Sequence, residues 1–341
     1  MASFPTISKS EKAYIQSSLK ATPPLRADGR SLYDFRTILL ETGVAPLANG
    51  SARLNIGKSA DEGGGGTEVL AATKLEVEDV QTGDGVDGGR IVCTVTCSPA
   101  AYPQLQSNAL DDLQYDYTTV LHQTLSHPSL HPKNLGIIPK RKSWLLNLDV
   151  VILSDAGNAY DAMFMAARAA LWDTKVPVTR PVQYKARNTT EPQNTENEQM
   201  DVEGQGVDSS GFSTKRLPSA TDFELPDYWD EGEPLDGQDR WPVCITLNVH
   251  ENVHFLDATS VEEASVPSKF LVAFSFPPST SSRVQAIRTI GSGELQFTQI
   301  QQLIGDAEKY ARQLYTALES KLREENVRRN QKARDKFAQR Q

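Results

Sequence analysis

Cysteine is scarce: Cys93, Cys97 and Cys244 are the only three thiols in 341 residues. Three cannot build the disulfide framework of a small secreted domain. Cys93 and Cys97 fall in the β-branched run Ile91-Val92-Cys93-Thr94-Val95-Thr96-Cys97. Four residues of strand span roughly 13 Å, too far for a disulfide or a shared metal, so buried, inert thiols are expected. Long apolar runs are missing as well. No window approaches the roughly 18–20 uncharged apolar residues of a membrane helix. No apolar stretch follows Met1-Ala2-Ser3-Phe4-Pro5 and the early charges Lys9, Glu11 and Lys12, which argues against a signal peptide and for an intracellular, reduced protein. Basic charge is in the minority, 35 Lys and Arg against 44 Asp and Glu. The deficit is local. Residues 191–239 hold 14 acids against Lys215 and Arg216, and removing them leaves 33 basic and 30 acidic side chains. The acidic balance therefore belongs to one segment, and the remainder is free to face a polyanion.

What is present reads as alternating β and α segments. A short helix is expected after Ser8 or Ser10, with Tyr14, Ile15 and Leu19 on one side, stopped by Thr22-Pro23-Pro24. From Phe35 to Cys97 the pattern is β, with glycine-rich turns at 63–66 and 83–89. A helix follows near 108–125, where Asp111 and Asp112 suit a positive N-terminal end. Trp144 to Leu153 is a nearly continuous apolar strand, and an Ala-rich helix follows at about 160–172. Residues 186–239 are polar and acidic and read as an insertion, disordered at least to about 218. Strands then resume at Val243 to Val249, Val253 to Leu256, Lys269 to Phe276 and Arg283 to Thr289. A long helix closes the chain, with a capping box from Thr298 and Gln301 and one apolar stripe from Ile300 to Leu318. Beyond 321 the stripe fades into a basic tail. The order predicts an α+β (mixed α/β) architecture with two related halves.

Several motifs need weighing. Gly57-Lys58-Ser59 ends like a phosphate-binding loop, but Ala52 stands where that loop needs glycine, and glycines follow where it needs a helix. A hairpin loop is expected instead. His250-Glu251-Asn252-Val253-His254 spells the zinc-peptidase string, whose chemistry needs both imidazoles on one helical face. It follows an alternating strand and reads as a hairpin turn, with no metal expected. His122, His127 and His131 show no ligand spacing and suit capping or surface positions. The basic run Lys140-Arg141-Lys142 reads either as a phosphate contact or as a solvated loop. Those three residues are the candidate RNA-binding site. No catalytic residue, metal ligand or cofactor is expected.

Three blocks carry a family resemblance. The first runs from Arg26-Ala27-Asp28-Gly29-Arg30 through Phe35-Arg36, Glu41-Thr42-Gly43-Val44, Asn49-Gly50-Ser51-Ala52-Arg53, Thr67-Glu68-Val69 and Lys74-Leu75-Glu76-Val77. The second comprises Trp144, Asp149-Val150-Val151-Ile152-Leu153, Gly157-Asn158-Ala159-Tyr160-Asp161-Ala162 and Ala169-Ala170-Leu171. The third holds Pro242-Val243, Asp257-Ala258-Thr259, Glu262-Glu263 and Gly291-Ser292-Gly293. Together they resemble RNase PH-like subunits of the RNA exosome ring. The resemblance implies the RNase PH fold, with two βα-rich halves at 26–185 and 240–320. An N-terminal helix and linker (1–25), the acidic insertion (186–239) and a basic helical tail (321–341) would flank or interrupt them. It also implies a six-membered ring around an RNA channel, with a protein 41-like subunit as nearest partner. RNA-binding cap subunits and separate catalytic nucleases would join it, in nucleus, nucleolus and cytoplasm, with no membrane role. In active relatives, arginines near the start of the first long helix help bind phosphate. Here that stretch is Asn108-Ala109-Leu110-Asp111-Asp112-Leu113. Active relatives also place an Asp before a Pro-Val strand start, where this chain reads Asp239-Arg240-Trp241-Pro242-Val243. A non-catalytic ring subunit in 3′-to-5′ RNA processing, including ribosomal RNA maturation, is therefore expected. An active phosphorolytic exoribonuclease is the alternative, and a zinc peptidase a remote one.

Overall fold

The computed structural model describes residues 7–57, 65–80, 88–182, 222–225, 232–278 and 281–338. Residues 183–221 and 226–231, which hold most of the segment expected to be disordered, lie outside them, as do Lys58 and Ser59.

Helix α1 (Lys9–Lys20) starts where Ser8 accepts the Glu11 N–H. Leu19 is its buried residue, whereas Tyr14 is 70% exposed and does not share the apolar side expected of it. The first half is built on a six-stranded sheet. β1 (Ile38–Thr42), β2 (Gly50–Ile56) and β3 (Thr67–Asp79) form an antiparallel meander, so Gly57 does open a hairpin connection. β4 (Arg90–Cys97) leads into helix α2 (Ser107–Leu125), then β5 (Gly136–Ile138) and β6 (Lys142–Ser154). The sheet order is β1-β2-β3-β6-β4, with β4 parallel to β6 and β5 paired to β6. Helix α2 begins at Ser107 with no acid in its first turn, so Asp111 and Asp112 lie one turn too late to complement its dipole.

The open edge of β4 would expose a row of unpaired N–H groups. One face of α2 covers it: Gln114, Thr118 and His122, four residues apart, accept the N–H groups of Cys97, Val95 and Cys93 at 2.9, 3.0 and 3.3 Å. The three histidines near α2 thus cap backbone, His127 accepting from the Ser129 N–H and His131 lying 2.5 Å from the Gly89 carbonyl. All three cysteines are buried. Burial pushes the Cys97 thiol up to about 12 and raises the Cys93 and Cys244 thiols as well, which keeps them protonated and inert.

Helix α3 (Ala159–Asp173) is the centre of the molecule. Every residue from Ala159 to Leu171 is buried. It packs on β2 and β3 of the first sheet and on β11 of the second. Six alanines among its fifteen residues let two sheets approach one helix. The second sheet, β12-β11-β13-β14, is antiparallel, from β11 (Val243–His250), β12 (Val253–Phe255), β13 (Ser268–Ser275) and β14 (Arg283–Gly291). The alternation in β11 predicts one wet face, yet all eight of its residues are buried. Both faces are covered, by α3 and by the final helix α5 (Phe297–Ala338).

Two short pairings, not foreseen, tie the end of the first half to the acidic segment. β7 (Lys175–Pro177) pairs with β10 (Gly232–Pro234), and β8 (Arg180–Val182) with β9 (Asp222–Glu224), so part of the acidic segment is ordered strand. Helix α4 (Ser260–Ser265) was also unforeseen and carries a capping box between Thr259 and Glu262. The box expected at Thr298 and Gln301 is not formed. α5 begins at Phe297, and the Gln299 side chain accepts the Gln296 N–H at 3.1 Å. Nor does the apolar stripe end at 321: Leu322 is 1% exposed, and Arg329 bonds Asp173 at the end of α3.

Candidate functional site

The motif at 26–36 gives up its arginines to structure. Arg26 makes a two-pronged bond to Glu262 at 2.9 and 2.7 Å, with both side chains buried. Arg30 and Arg36 both reach Asp257, at 2.8 Å and at 2.7 to 2.9 Å. Asn158, at the start of α3, adds a bond to the same carboxylate at 3.0 Å. Burial would raise the Asp257 carboxyl, but Arg36, with help from Arg30, holds it below the usual carboxylate range. The arginines of the first block and the carboxylates of the third are therefore one charged lock between the two halves.

A cavity of about 450 Å³ lies where the start of α2, the turn before α3 and α4 converge. Tyr102, Leu105, Leu113, Asp155, Ser260 and Glu263 line it. The N-terminus of a helix is a natural anion site, because its N–H groups point outward and its dipole favours negative charge. At α3 the chain's own carboxylates fill that role. Glu263 accepts the Asn158 N–H at 2.8 Å, and Asp155 accepts the Gly157 N–H at 2.8 Å. Lys269 satisfies the other Glu263 oxygen at 2.6 Å. Burial, then the neighbouring Glu263 charge, raises the Asp155 carboxyl. No lysine or arginine is among the described residues lining the cavity. Asp239 lies elsewhere. It lines a separate cleft with Lys133 and Arg240, and its carbonyl accepts the Tyr315 hydroxyl at 3.2 Å.

The basic run sits in the turn between β5 and β6. Lys140 is exposed at φ +61°, and the Arg141 carbonyl accepts the Val80 N–H at 2.9 Å. Lys142 meets Asp222 of β9 at 3.3 Å and lies 5.5 Å from the centre of the Phe223 ring. The acidic partner of Lys142 comes from the segment that sequence reasoning had set aside, and nothing in the local sequence around 142 announces it.

The string at 250–254 is the hairpin turn expected. His250 pairs with Val253 and His254 with Val249, which places the two imidazoles on opposite faces of the ribbon. His254 leans on Tyr33, 5.5 Å between ring centres, beside Asp306.

Two sheets on a shared central helix, with the long strand-helix block at 136–173, define the class. Residues 34–177 match the family model described as 3' exoribonuclease family, domain 1, known as RNase_PH. Over that stretch the chain is similar to the RNase PH-like proteins, and it has the RNase PH fold. Among its relatives are an RRP42 of Dictyostelium discoideum, named as an exosome complex exonuclease, and the exosome complex component rrp42 of Schizosaccharomyces pombe. The first is 23% identical over 366 residues, 93% of this chain and 98% of that one. The second is 28% identical over 292 residues, 84% and 83%. A solved chain described as the Archaeoglobus fulgidus exosome with RNA bound to the active site superposes with a TM-score of 0.62. That match is 21% identical and covers 90% of this chain and 97% of the other, so it speaks for the fold.

Proposed function

We propose that this chain is a non-catalytic, structural and channel-lining subunit of an RNA exosome core ring that supports 3′-to-5′ RNA processing and decay, ribosomal RNA maturation included. The partners are other RNase PH-like subunits, a protein 41-like chain nearest, with RNA-binding caps and separate catalytic nucleases, in nucleus, nucleolus and cytoplasm. The two halves are 26–185 and 240–320, with the acidic segment 186–239 between them. Similarity to RRP42 relatives along nearly the whole chain supports the assembly.

The cavity beside α3 supports the absence of catalysis and is the observation that carries it. Phosphorolysis requires cations to hold inorganic phosphate and stabilise the charge that develops on it. Here Asp155 and Glu263 occupy the helix N-terminus, and among the described residues no lysine or arginine lines the space. The N–H groups of Gly157 and Asn158 are thus already taken by the chain's own carboxylates. Lys140, Arg141 and Lys142 contribute RNA contact without chemistry. Affinity purification of the full chain tests the assembly. RNase PH-like chains in stoichiometric amounts are expected. Recovery of the chain alone, under conditions that keep other subunits together, contradicts the proposal.

A further inference from the structure

The described residues of the acidic stretch are fixed to the body. β9 is paired to β8, and β10 to β7. Asn134 donates to the Pro234 carbonyl at 2.9 Å and accepts the Asp236 N–H at 3.0 Å. These contacts set the acidic stretch against the chain that runs from 133 into the basic turn and β6. Between Asp222 and Asp239 the sequence holds eight acids and neither lysine nor arginine.

The contact at Lys142 is pinned on both sides. Phe223 meets Trp144 edge to face, 6.2 Å between ring centres, and its ring lies under the Lys142 ammonium. The pairing of Pro181 with Phe223 sets the backbone of Asp222. Asp222 is thus delivered to Lys142 by a strand and an aromatic pin. The Phe223 N–H, 2.9 Å away, and then Lys142 hold the Asp222 carboxyl below its ordinary value, so it stays charged at neutral pH.

We propose that β9 is a built-in polyanion competitor, in which Asp222 occupies the Lys142 ammonium that an RNA phosphate would otherwise take. A carboxylate and a phosphate both offer anionic oxygens to the same donor. RNA contact at the basic turn is then weaker than its three cations allow, and displacement of β9 strengthens it. The inference rests on the reading of residues 140–142 as RNA-facing.

The test is the affinity of the full chain, with its co-purified subunits, for a labelled single-stranded RNA across a salt series. Asp222→Asn is expected to tighten binding by about two- to fivefold at low salt. The gain should vanish at high salt, and the slope of log K against log salt should steepen by up to about 0.7. Phe223→Ala, which removes the pin, should shift affinity the same way. If Phe223 instead stacks on a base, its loss weakens binding by about fivefold or more, and the proposal is overturned. In a Lys142→Ala background Asp222→Asn should change nothing. An undiminished gain there would mean that Asp222 repels RNA from a distance, which also overturns it. The combined variant Lys140→Ala, Arg141→Ala, Lys142→Ala separates the two levels. If it binds RNA as the parent does, the turn does not face RNA and the underlying reading fails. If it loses affinity while Asp222→Asn gains none, only the competitor fails.

Discussion

Asp161 is a fully buried carboxylic acid in the first turn of α3. It accepts from the Thr246 N–H at 3.2 Å and from the Thr246 hydroxyl at 2.7 Å, tying α3 to β11. Burial raises its pKa to about 7, against the pull of those two bonds. The folded chain therefore binds a proton that the unfolded chain, with its ordinary carboxyl, has already released. The stability this group contributes is fully present below the unfolded value of 3.8 and is lost as pH rises through about 7. Within that window stability should fall by up to about 1.4 kcal/mol per pH unit. Asp161→Asn keeps the shape and removes the titration, so its urea midpoint, plotted as the difference from the parent, should rise steadily from pH 5 to pH 7.5. Parallel profiles would show that Asp161 does not titrate in the folded state.

At the scale of elements, period and composition were enough where an element lies in one environment. The apolar run at Trp144 to Leu153 became β6, and the Ala-rich run became α3, with its ends within a residue or two of expectation. Where long-range partners decide, local pattern fell short. Arg36 and Asp257 are 221 residues apart, and no local signal says that these arginines face a carboxylate rather than a ligand. Helix α4 has only six residues, too few for a period, although Thr259 and Glu262 spelled its cap. The tail was read as fading because charges dominate after 321, yet a helix needs only one apolar residue per turn to stay docked. Leu322 supplies it, and Arg329 reaches Asp173 beyond it. Leu322→Ala should therefore cost about 2–4 kcal/mol in urea unfolding, while Val327→Ala, at a position 56% exposed, should cost less than about 0.5 kcal/mol. Equal, small effects at both positions would mean that the helix is free of the body from 321 onward.

At the scale of the molecule, the edges differ in how they are treated. β4 is closed by α2, and β12 has only three residues. β14 is nine residues long, lies at the edge of its sheet, and exposes Val284 and Ile287. It contains no proline or lysine, and Arg288 is drawn inward to Asp116. Such an edge invites pairing with another chain, consistent with a subunit that works in a ring. The chain expressed alone should self-associate, and Ile287→Lys should raise its monomer fraction in sedimentation. A parent that is fully monomeric at micromolar concentration would contradict this. The central claim is that the chain contributes walls and contacts to RNA decay and no chemistry of its own. The direct measurement is phosphate-dependent shortening of a labelled RNA by the reconstituted ring, with Asp155→Asn, Glu263→Gln or Asp239→Asn in this subunit and assembly checked in parallel. Phosphate-dependent product is expected to be unchanged in every intact ring. A large loss of that product, with the ring intact, would reveal a working active site in this chain.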